Sequence, residues 1–573
     1  MTTLPPKESR NVTRTAIVYL GGAWVFIEAF NFLIDKYGFD AKWIDITILI
    51  VIFGLPAVII HSLFYHKFSR NAVLLHALNV VLAFGVIGYL QFNPDSFHPT
   101  ELRLLNFKNS QKTAAESIRS IAILPFANYT GNTEKDFLSS GIHDALISQM
   151  GQIGAVRMIS KTSTLAYANS DKTIQQIASE LDVDGVIEGS LLVADDVIRL
   201  QLKLISAFPE ELQIWTRTYD ASMNDLLNVY SDMTKNIAEE INITISPSEN
   251  RLITKNKTVH PDAYEAYLKG KYSMGMLSKD GIEAAMGHFQ RAIQIDPEFA
   301  QAYGGLGGIW AFLKQMDIVT TEQANPNIVS NLSKAMELDS TLADVHYWEA
   351  IKKVWTDFDW NGGERTFKKA LSLNHNFSEA RGLYSNFLMC MSRFDEAREE
   401  MDKALNVDPN NPFIMTLDGT LYTFNGSPQA AVDRLIPIQQ AMPGNPLANL
   451  NLFLSYYQLG KDDQCFEQFK MKMQMEGHED IIPAVDETYK KDGFKKTMLK
   501  AAQMLENKEN SLLTAQTMIF LYAMAEEEDK TMDWVEKGYI RRDSDIPFIK
   551  VMPPLLKYQK NQRFIEVAKL LNL

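Results

Sequence analysis

The stretch best suited to phosphate chemistry is SIAILPFANYTGNTEKDFLSSGI, residues 120 to 142. Its pattern predicts an apolar strand, then a polar loop with Gly131, then a helix. Helix N-termini that follow such loops bind anions in many enzymes. A P-loop needs GxxxxGK[ST] and a dinucleotide loop needs GxGxxG, and the stretch has neither pattern. Glu134 and Asp136 already place carboxylates at the helix entrance, where an anion would bind. The stretch therefore favours a turn and a helix cap over a phosphate site.

Other chemical candidates also fit packing better. YGGLGGIW, residues 303 to 310, has its glycines at helical spacing inside a repeat. His346 and Glu349 form one i, i+3 pair, which is less than a zinc site requires, and the sequence has no HExxH or GxSxG. Cys390 and Cys465 are the two cysteines, too few for a disulfide scaffold, and Cys465 occupies a small-residue position. We predict no catalytic, cofactor or metal-binding residues.

Charge is unevenly distributed along the 573 residues. The first 115 residues carry 10 Lys and Arg against 7 Asp and Glu, and the rest carry 46 against 63. An acidic surface repels phosphate backbones, whereas nucleic-acid binding needs a basic face. We therefore expect no nucleic-acid partner.

Three apolar stretches near the start predict membrane helices. They run from Thr15 to Ile34, Ile46 to Phe64 and Ala72 to Leu90, each close to the roughly 20 residues that cross a bilayer. The first contains Glu28 and Asn31, which are costly in lipid, so two spans are the alternative to three. Glu28 is then either a proton or partner contact or a polar contact near the interface.

Basic residues near these stretches predict their orientation. Lys7, Arg10 and Arg14 precede the first stretch, and Lys67 and Arg70 lie between the second and third. The positive-inside rule places both groups in the cytoplasm. The expected localisation is a bacterial inner membrane with the C-terminal soluble region in the periplasm.

Residues 118 to 246 alternate apolar runs with helical patterns. Short apolar runs at IRSIAILPF, VRMIS, DGVIEGSLLVA, VIRLQLKLISA and LQIWTRTYD predict five strands. Helical patterns lie between the early strands and after the last one, which favours an α/β domain with a mixed sheet.

The same segments carry a resemblance to a known family. SIAILPFANYTGNTEKDFLSSGIHDALISQM, VRMISKTSTLAY, IASELDVDGVIEGSLLVADDVIRLQLKLI and IWTRTYD together resemble the TolB amino-terminal-like domain of bacterial membrane proteins that also carry tetratricopeptide repeats (TPRs). Such proteins are often fused to a winged-helix regulator or a class III nucleotide cyclase, and the roughly 14 residues before the first apolar stretch leave no room for either. The resemblance implies a domain for protein interaction or sensing, with no catalytic residues to transfer.

From Pro261 onward the sequence predicts helix after helix with an internal repeat. AIQIDPEFAQAY, AMELDSTLADVHY, ALSLNHNFSEARGLY and ALNVDPNNPF share a frame in which Ala292, Ala335, Ala370 and Ala404 are spaced by 43, 35 and 34 residues. A period near 34 is typical of TPR units, each a pair of helices A and B. The longer first spacing suggests an insertion around VTTEQANPNI, and the chain length predicts about six to eight pairs.

Within this frame the residue types fit TPR packing. In the first unit, Ala285 and Ala292 are the small residues, Phe289 is the aromatic residue that fills the gap between helices, and Pro297 ends helix B. Helix A of the next unit carries Tyr303, Leu306, Gly307 and Trp310. Stacked pairs form a superhelix with a groove that binds proteins or peptides. We expect Tyr303, Trp310, Tyr384 and Tyr422 as protein-binding candidates in that groove, although several must be core residues.

The sequence thus predicts a multidomain protein with N-terminal transmembrane helices, a TolB-like α/β domain with a mixed sheet, and a C-terminal all-α TPR superhelix. The expected segments are 1–91 (anchor), 92–117 (linker), 118–246 (α/β), 247–260 (linker) and 261–573 (repeats with capping helices). The expected function is a non-enzymatic, membrane-anchored periplasmic scaffold or sensing adaptor, whose partners are a protein or peptide and the lipid bilayer. The alternative is an envelope enzyme subunit or cyclase-related regulator whose α/β domain binds a small ligand. A cytoplasmic adaptor of inverted topology is a third option.

Overall fold

The computed structural model describes residues 70–92 and 110–573, with gaps at 131–134, 195–196, 256–258, 277, 317 and 509–513, and scattered positions between 15 and 60. The chain divides into two compact units, Met1–Thr113 and Ala114–Leu573. The first unit contains helix α1 (Arg70–Phe92).

The prediction of N-terminal transmembrane helices is wrong, and so is the inner-membrane and periplasmic localisation that rested on it. No helix among the described residues is both long enough and apolar enough to cross a bilayer. A crossing takes about 20 consecutive, predominantly apolar residues, and α1 carries His76 and Asn79 in its interior. The predicted stretch at 15–34 falls largely outside the described residues, and the stretch at 46–64 is described in part.

The second unit begins with an α/β part. Its elements are β1 (Ser120–Ile123), β2 (Ala127–Asn128), α2 (Asp136–Met150), β3 (Arg157–Met158), α3 (Lys161–Leu165), α4 (Ile174–Leu181), β4 (Gly185–Ala194), β5 (Val197–Ser206), β6 (Leu212–Ala221), α5 (Leu226–Glu240) and α6 (Pro247–Ile253). The sheet order is β3-β1-β4-β5-β6, with β2 paired to β4. Pairs β1–β3, β1–β4 and β2–β4 are parallel and the β4–β5–β6 meander is antiparallel, which confirms the predicted mixed sheet.

The sheet buries its two faces unequally. Ile198, Leu200, Leu202 and Leu204 alternate along β5 and join the core that α2 and α5 close. A smaller core on the opposite face covers β1 and the start of β4 with α4, through residues such as Ile177. Alternation with period two on β5 is the pattern of a strand with one buried face.

The remainder of the unit is helical. Its helices are α7 (Pro261–Met274), α8 (Lys279–Ile295), α9 (Ala300–Gln315), α10 (Thr321–Leu338), α11 (Ala343–Lys352), a π-helical turn (Lys353–Asp357), α12 (Trp360–Leu373), α13 (Ser378–Cys390), α14 (Phe394–Val407), α15 (Pro412–Phe424), α16 (Pro428–Ala441), α17 (Pro446–Gln458), α18 (Asp462–Met475), a 3₁₀ turn (Glu479–Ile481), α19 (Ile482–Asp492), α20 (Phe494–Glu506), α21 (Ala515–Met524), α22 (Glu528–Arg541), two 3₁₀ turns (Ile546–Phe548 and Pro553–Tyr558) and α23 (Gln562–Leu570). From α7 to α22 they pack as consecutive A and B pairs, eight in the described part of the chain, which form a TPR-like superhelix.

The predicted repeat frame is confirmed by burial. Ala285, Phe289 and Ala292 are fully buried. Gly270 of α7 and Gly305 of α9 both lie against the Phe289 ring, where an added Cβ would stand 2.6 and 2.8 Å from a ring carbon. These glycines let two A helices approach one aromatic plug, so the glycine-rich 303–310 segment is a packing surface.

The predicted insertion belongs to a helix. Thr320 caps α10, because its hydroxyl accepts from the Gln323 amide and the Gln323 side chain accepts from the Thr320 amide. This capping box begins an 18-residue α10 after a 16-residue α9, whereas α12 and α14 have 14 residues each. The extra residues of this repeat lengthen its helices.

The C-terminal segment returns to the turns between helices A and B of earlier repeats. The Trp360 indole donates to the Leu571 carbonyl at 2.5 Å, and the Arg542 guanidinium donates to the Thr356 carbonyl at 2.9 Å. The Lys314 ammonium donates to the Ser544 hydroxyl at 3.1 Å. The end of the chain therefore packs along one edge of the superhelix.

Candidate functional site

The opposite edge of the superhelix holds the α/β part. The turns that follow helix B in the first four repeats place an aspartate or asparagine at equivalent positions, which are Asp296, Asp339, Asn374 and Asp408. Each of these turns contacts residues that precede the repeats. We call this set of contacts the junction.

At the first two turns, single carboxylates make the contact. Asp296 accepts a hydrogen bond from the backbone amide of His260 at 3.2 Å. Asp339 pairs with the Lys255 ammonium at 2.6 Å, and its carboxylate is only 11 % exposed. The segment between the α/β part and the repeats is thereby fixed along the first two repeats.

The third turn covers the free edge of β3. The Asn376 side-chain carbonyl accepts from the Met158 amide at 3.1 Å, while its NH₂ group donates to the Val156 carbonyl at 3.0 Å. The His375 amide also donates to the Gly151 carbonyl at 3.0 Å. A buried backbone group without a partner is costly, so Asn376 does for β3 what a further strand would do.

The fourth turn centres on the fully buried Asp408. One carboxylate oxygen accepts from the Ser163 hydroxyl at 2.6 Å, and the other accepts from Ser378 at 3.0 Å and Asn411 at 2.6 Å. The Asn410 amide in turn donates to the Ser163 oxygen at 2.9 Å. A residue of α3 and the turn after α14 thus share one closed hydrogen-bond network.

Apolar packing completes the junction at the first repeat. Helix α2 lies against α7, with Gly141 so close to Leu268 that an added Cβ would stand 2.8 Å from its methyl group. Tyr230 of α5 and Tyr264 of α7 are buried with their hydroxyls 3.3 Å apart. The α/β core therefore continues into the first repeat without a break.

A series of charged side chains links both parts, each interacting electrostatically with the next. In order they are Lys161 of α3, Asp144 of α2, Lys271 of α7, Asp344 of α11, Glu379 of α13 and Asp408.

Two neighbouring members of this series, Lys271 and Asp144, form an ion pair. The Lys271 ammonium lies 3.3 Å from the Asp144 carboxylate. Burial acts to raise the pKa of Asp144, but the charges of Lys271 and Lys161 outweigh burial and lower it. The charge of Asp144 in turn raises the pKa of Lys271 well above its ordinary value. Both groups therefore stay ionised across the neutral range.

Asp344 and Glu379 have raised pKa values, whereas the pKa of Asp144 is lowered. Burial raises the pKa of Asp344. Burial and the neighbouring charge of Asp408 raise the pKa of Glu379 to about 7. The junction thus combines a fixed ion pair with a carboxyl group that titrates near neutral pH.

The buried residues that could act in catalysis are engaged in structural contacts. Burial lowers the pKa of His143 to about 4, and its Nε2 lies 2.7 Å from the Ile123 carbonyl. Cys390 and Cys465 are both buried, and burial raises the pKa of each thiol. The Cys465 thiol donates to the Phe453 carbonyl at 3.4 Å, which confirms the predicted packing role.

The predicted groove residues do not form a cluster. Tyr303 and Trp310 are half-buried against the core between α9, α10 and α11. Tyr384 is 5 % exposed and donates to Glu364 at 3.0 Å. Tyr422 is half-buried beneath the Arg398 guanidinium, 5.5 Å from its ring centre. Tyr384 is thus a core residue, and a binding role for the other three stays a prediction.

Two further sequence candidates have local partners. His346 Nε2 lies 2.9 Å from the Ser340 carbonyl, and Glu349 pairs with Lys353 at 3.6 Å. In the described part of the chain no group of side chains could hold a metal ion. Gly131 and Glu134 lie outside the described residues, and Asp136, at the start of α2, accepts from Asn128 at 2.7 Å.

Sequence reasoning did not single out the junction. Its signal was present in the phrases IDPEF, LDSTL, LNHNF and VDPNN, which repeat Asp or Asn at the same position. Such residues are common in turns for local reasons. Their second use, as contacts to the preceding domain, became visible only in the structure.

Comparisons with known proteins give partial likenesses. Residues 116–237 match the family described as the second domain of HilA/YgeH-like transcriptional regulators. A Rhizobium meliloti (strain 1021) protein named "Putative adenylate cyclase 3" is 24% identical over 238 residues, which are 41% of this chain and 40% of that protein. The chain therefore spans less than half the length of this relative.

Several solved structures are similar to part of this chain. PilF of Pseudomonas aeruginosa is 16% identical, with 46% of this chain and 97% of that chain covered at a TM-score of 0.27. Human IFIT1 with PPP-AAAA is 16% identical, with 60% and 77% covered at a TM-score of 0.35. PilW, described as a type IV pilus biogenesis factor, is 14% identical, with 37% and 92% covered at a TM-score of 0.30.

Proposed function

We propose that this chain is a non-enzymatic protein-binding scaffold or signal adaptor, in which the repeat superhelix holds the α/β domain in a fixed position for a partner protein. The observation that carries the proposal is the junction, where the turns after helix B of four successive repeats all contact residues that precede the repeats. Repeat superhelices offer extended surfaces for protein or peptide partners. The resemblance of residues 118–246 to TolB amino-terminal-like domains adds support for an interaction role.

The junction occupies the edge formed by the turns after helix B, so the partner surface of this proposal is the A-helix face of the repeats. Tyr303 and Trp310 of α9 and Tyr422 of α15 are half-buried there, and Phe413 in the first turn of α15 is 37 % exposed. Aromatic side chains with one accessible side supply much of the binding energy in protein interfaces.

Site-specific photocrosslinking tests this surface. A photoreactive phenylalanine analogue replaces Tyr303 or Phe413 in the full chain, and a control carries it at the exposed Lys369 on helix B of the third repeat. We expect a discrete crosslinked protein from the A-helix positions, competed by unlabelled chain. Equal products from Lys369, or none from the A-helix positions, would count against the proposal.

A second function is favoured by the match to the cyclase-named relative. In this alternative the α/β domain binds a small ligand and regulates a nucleotide cyclase or a similar output protein. A ligand-dependent rise in melting temperature that depends on residues 118–246 would support it. Cyclic nucleotide production by the purified chain alone would contradict the non-enzymatic proposal.

A further inference from the structure

The hydrogen bonds around Ser378 require one more proton than the hydroxyl supplies. Its Oγ lies 3.0 Å from Asp408 Oδ2 and 2.9 Å from Glu379 Oε2. A hydroxyl group has a single hydrogen. Both contacts are hydrogen bonds only if one carboxyl is protonated and donates to the Ser378 oxygen.

The positions of the other donors place that proton on Glu379. Asp408 accepts from Ser163 at one oxygen and from Asn411 at the other. These two donors stabilise the ionised form of Asp408, whereas the Glu379 carboxyl accepts from its own backbone amide, so Asp408 is the carboxyl that stays ionised. The Glu379 carboxyl then donates to Ser378, and Ser378 donates to Asp408.

We propose that Glu379 is a proton-operated latch, which holds the α/β domain on the repeats when protonated and loosens the fourth contact of the junction when it ionises. Ionisation places two carboxylates on either side of one hydroxyl group, with Asp344 as a third acid nearby. Like charges at such distances repel strongly inside a protein. The turn after α14 carries Asp408 and its bond to Ser163, so this repulsion acts on the fourth contact of the junction.

The charged groups that face Glu379 from other elements do not cancel this repulsion. Burial and the charges of Asp408 and Asp344 raise the pKa of Glu379, and they outweigh the hydrogen bonds from its own backbone amide and from Ser378, which lower it. Tyr347 on α11 faces it as a neutral phenol, whose pKa is raised. Lys271 is paired with Asp144, and the charges of Lys271 and Lys161 act on that carboxylate.

The direction of the pH dependence follows from linkage. Glu379 has a pKa of about 7 in the closed junction against an ordinary value of 4.5. Its contribution to closure is therefore complete below about pH 4.5 and is lost as the pH rises through 7. These two values imply that the opening equilibrium increases on the order of 50-fold between pH 5 and pH 8.

Hydrogen exchange on the full-length chain tests the latch, with rates corrected for the intrinsic pH dependence. In the wild type, we expect segments 156–165 and 404–412 to lose protection between pH 5 and pH 8. In Glu379→Gln the side-chain amide donates to Ser378 at every pH, so protection should stay high. The control Asp262→Asn changes an acid in the first turn of α7 that is 74% exposed, and it should behave as the wild type.

Infrared spectroscopy supplies a second measurement that is independent of the opening. A protonated carboxyl band should be present at pH 6 in the wild type and weaker in Glu379→Gln. Protection that is independent of pH, the same pH dependence in Glu379→Gln, or an unchanged carboxyl band would each overturn the proposal. The latch concerns contacts within the chain, so it stands or falls independently of any partner.

Discussion

Asn376 accepts a hydrogen bond from the Met158 amide with its side-chain carbonyl and donates one to the Val156 carbonyl with its side-chain NH₂ group. These are the two kinds of hydrogen bond that a neighbouring strand would make at this edge of β3. The two residues are 218 positions apart in the sequence. A single side chain of the third repeat thereby completes the sheet of the α/β domain, and the two parts share one folded unit.

Replacing this asparagine should weaken that unit. Asn376→Ala leaves the Met158 amide and the Val156 carbonyl without their partners, and we expect a loss of about 1–3 kcal/mol in the free energy of unfolding. Urea denaturation measures it. The control Asn425→Ala, in an exposed turn that follows α15, should cost less than about 1 kcal/mol, because its side chain serves only the local Ser427 amide. Equal losses would show that Asn376 has no special role.

Ser163→Ala should destabilise the junction more than an exposed serine does. It removes a 2.6 Å hydrogen bond to the buried Asp408 and the acceptor for the Asn410 amide. Hydrogen bonds to charged groups contribute about 1.5–3 kcal/mol, so we expect a loss in that range. The matched control is Ser372→Ala on α12, where the serine hydroxyl donates to the Lys369 carbonyl of the same helix. A melting temperature unchanged from the wild type would contradict the network.

The glycines around Phe289 provide a packing test. Gly270→Ala pushes a methyl group against the ring, and overpacking of this kind costs about 1–3 kcal/mol. Gly287→Ala on α8 meets open space, and we expect it to stabilise the chain by up to about 1 kcal/mol, since alanine favours helices. Combining Gly270→Ala with Phe289→Leu should recover part of the loss. Chemical denaturation measures both variants. A lower free energy of unfolding for Gly270→Ala and a higher one for Gly287→Ala would confirm the packing, and changes of the same sign would contradict it.

The ion pair between Lys271 and Asp144 should stabilise the junction at neutral pH. Both side chains are about a third exposed, 35% and 30%, so we expect Lys271→Gln to cost only about 1–2 kcal/mol. The pKa of Asp144 is lowered in the folded chain, so this contribution is present above its ordinary value of 3.8 and is lost as the pH falls through the lowered value. Lys334→Gln on α10, whose partner Glu337 is on the same helix, is the control. A stability difference that persists at the lowest pH would contradict the pairing.

Local patterns in the sequence predicted the regular elements of the second unit. The strands at 120–123, 185–194, 197–206 and 212–221 follow from apolar alternation and the repeat frame from spaced alanines, because both periods reflect which face of an element is buried. The membrane prediction failed because apolar length alone does not distinguish a lipid-facing helix from other helices. The junction was beyond prediction, because Asn376 and Asp408 satisfy turn geometry by themselves and their partners lie more than 200 residues away.

The contacts of the turns after helix B set a rule for changes in the length of this protein. Asp296, Asp339, Asn376 and Asp408 each meet a given residue that precedes the repeats, so an insertion or deletion of one whole unit among them would misplace every later contact. The junction ends at residue 411, but the C-terminal segment returns to Lys314, Thr356 and Trp360, so a helix pair gained or lost after that residue would displace those contacts instead. Natural variants should therefore keep the number of helix pairs between the two sets of contacts, and engineered fusions are best placed outside them.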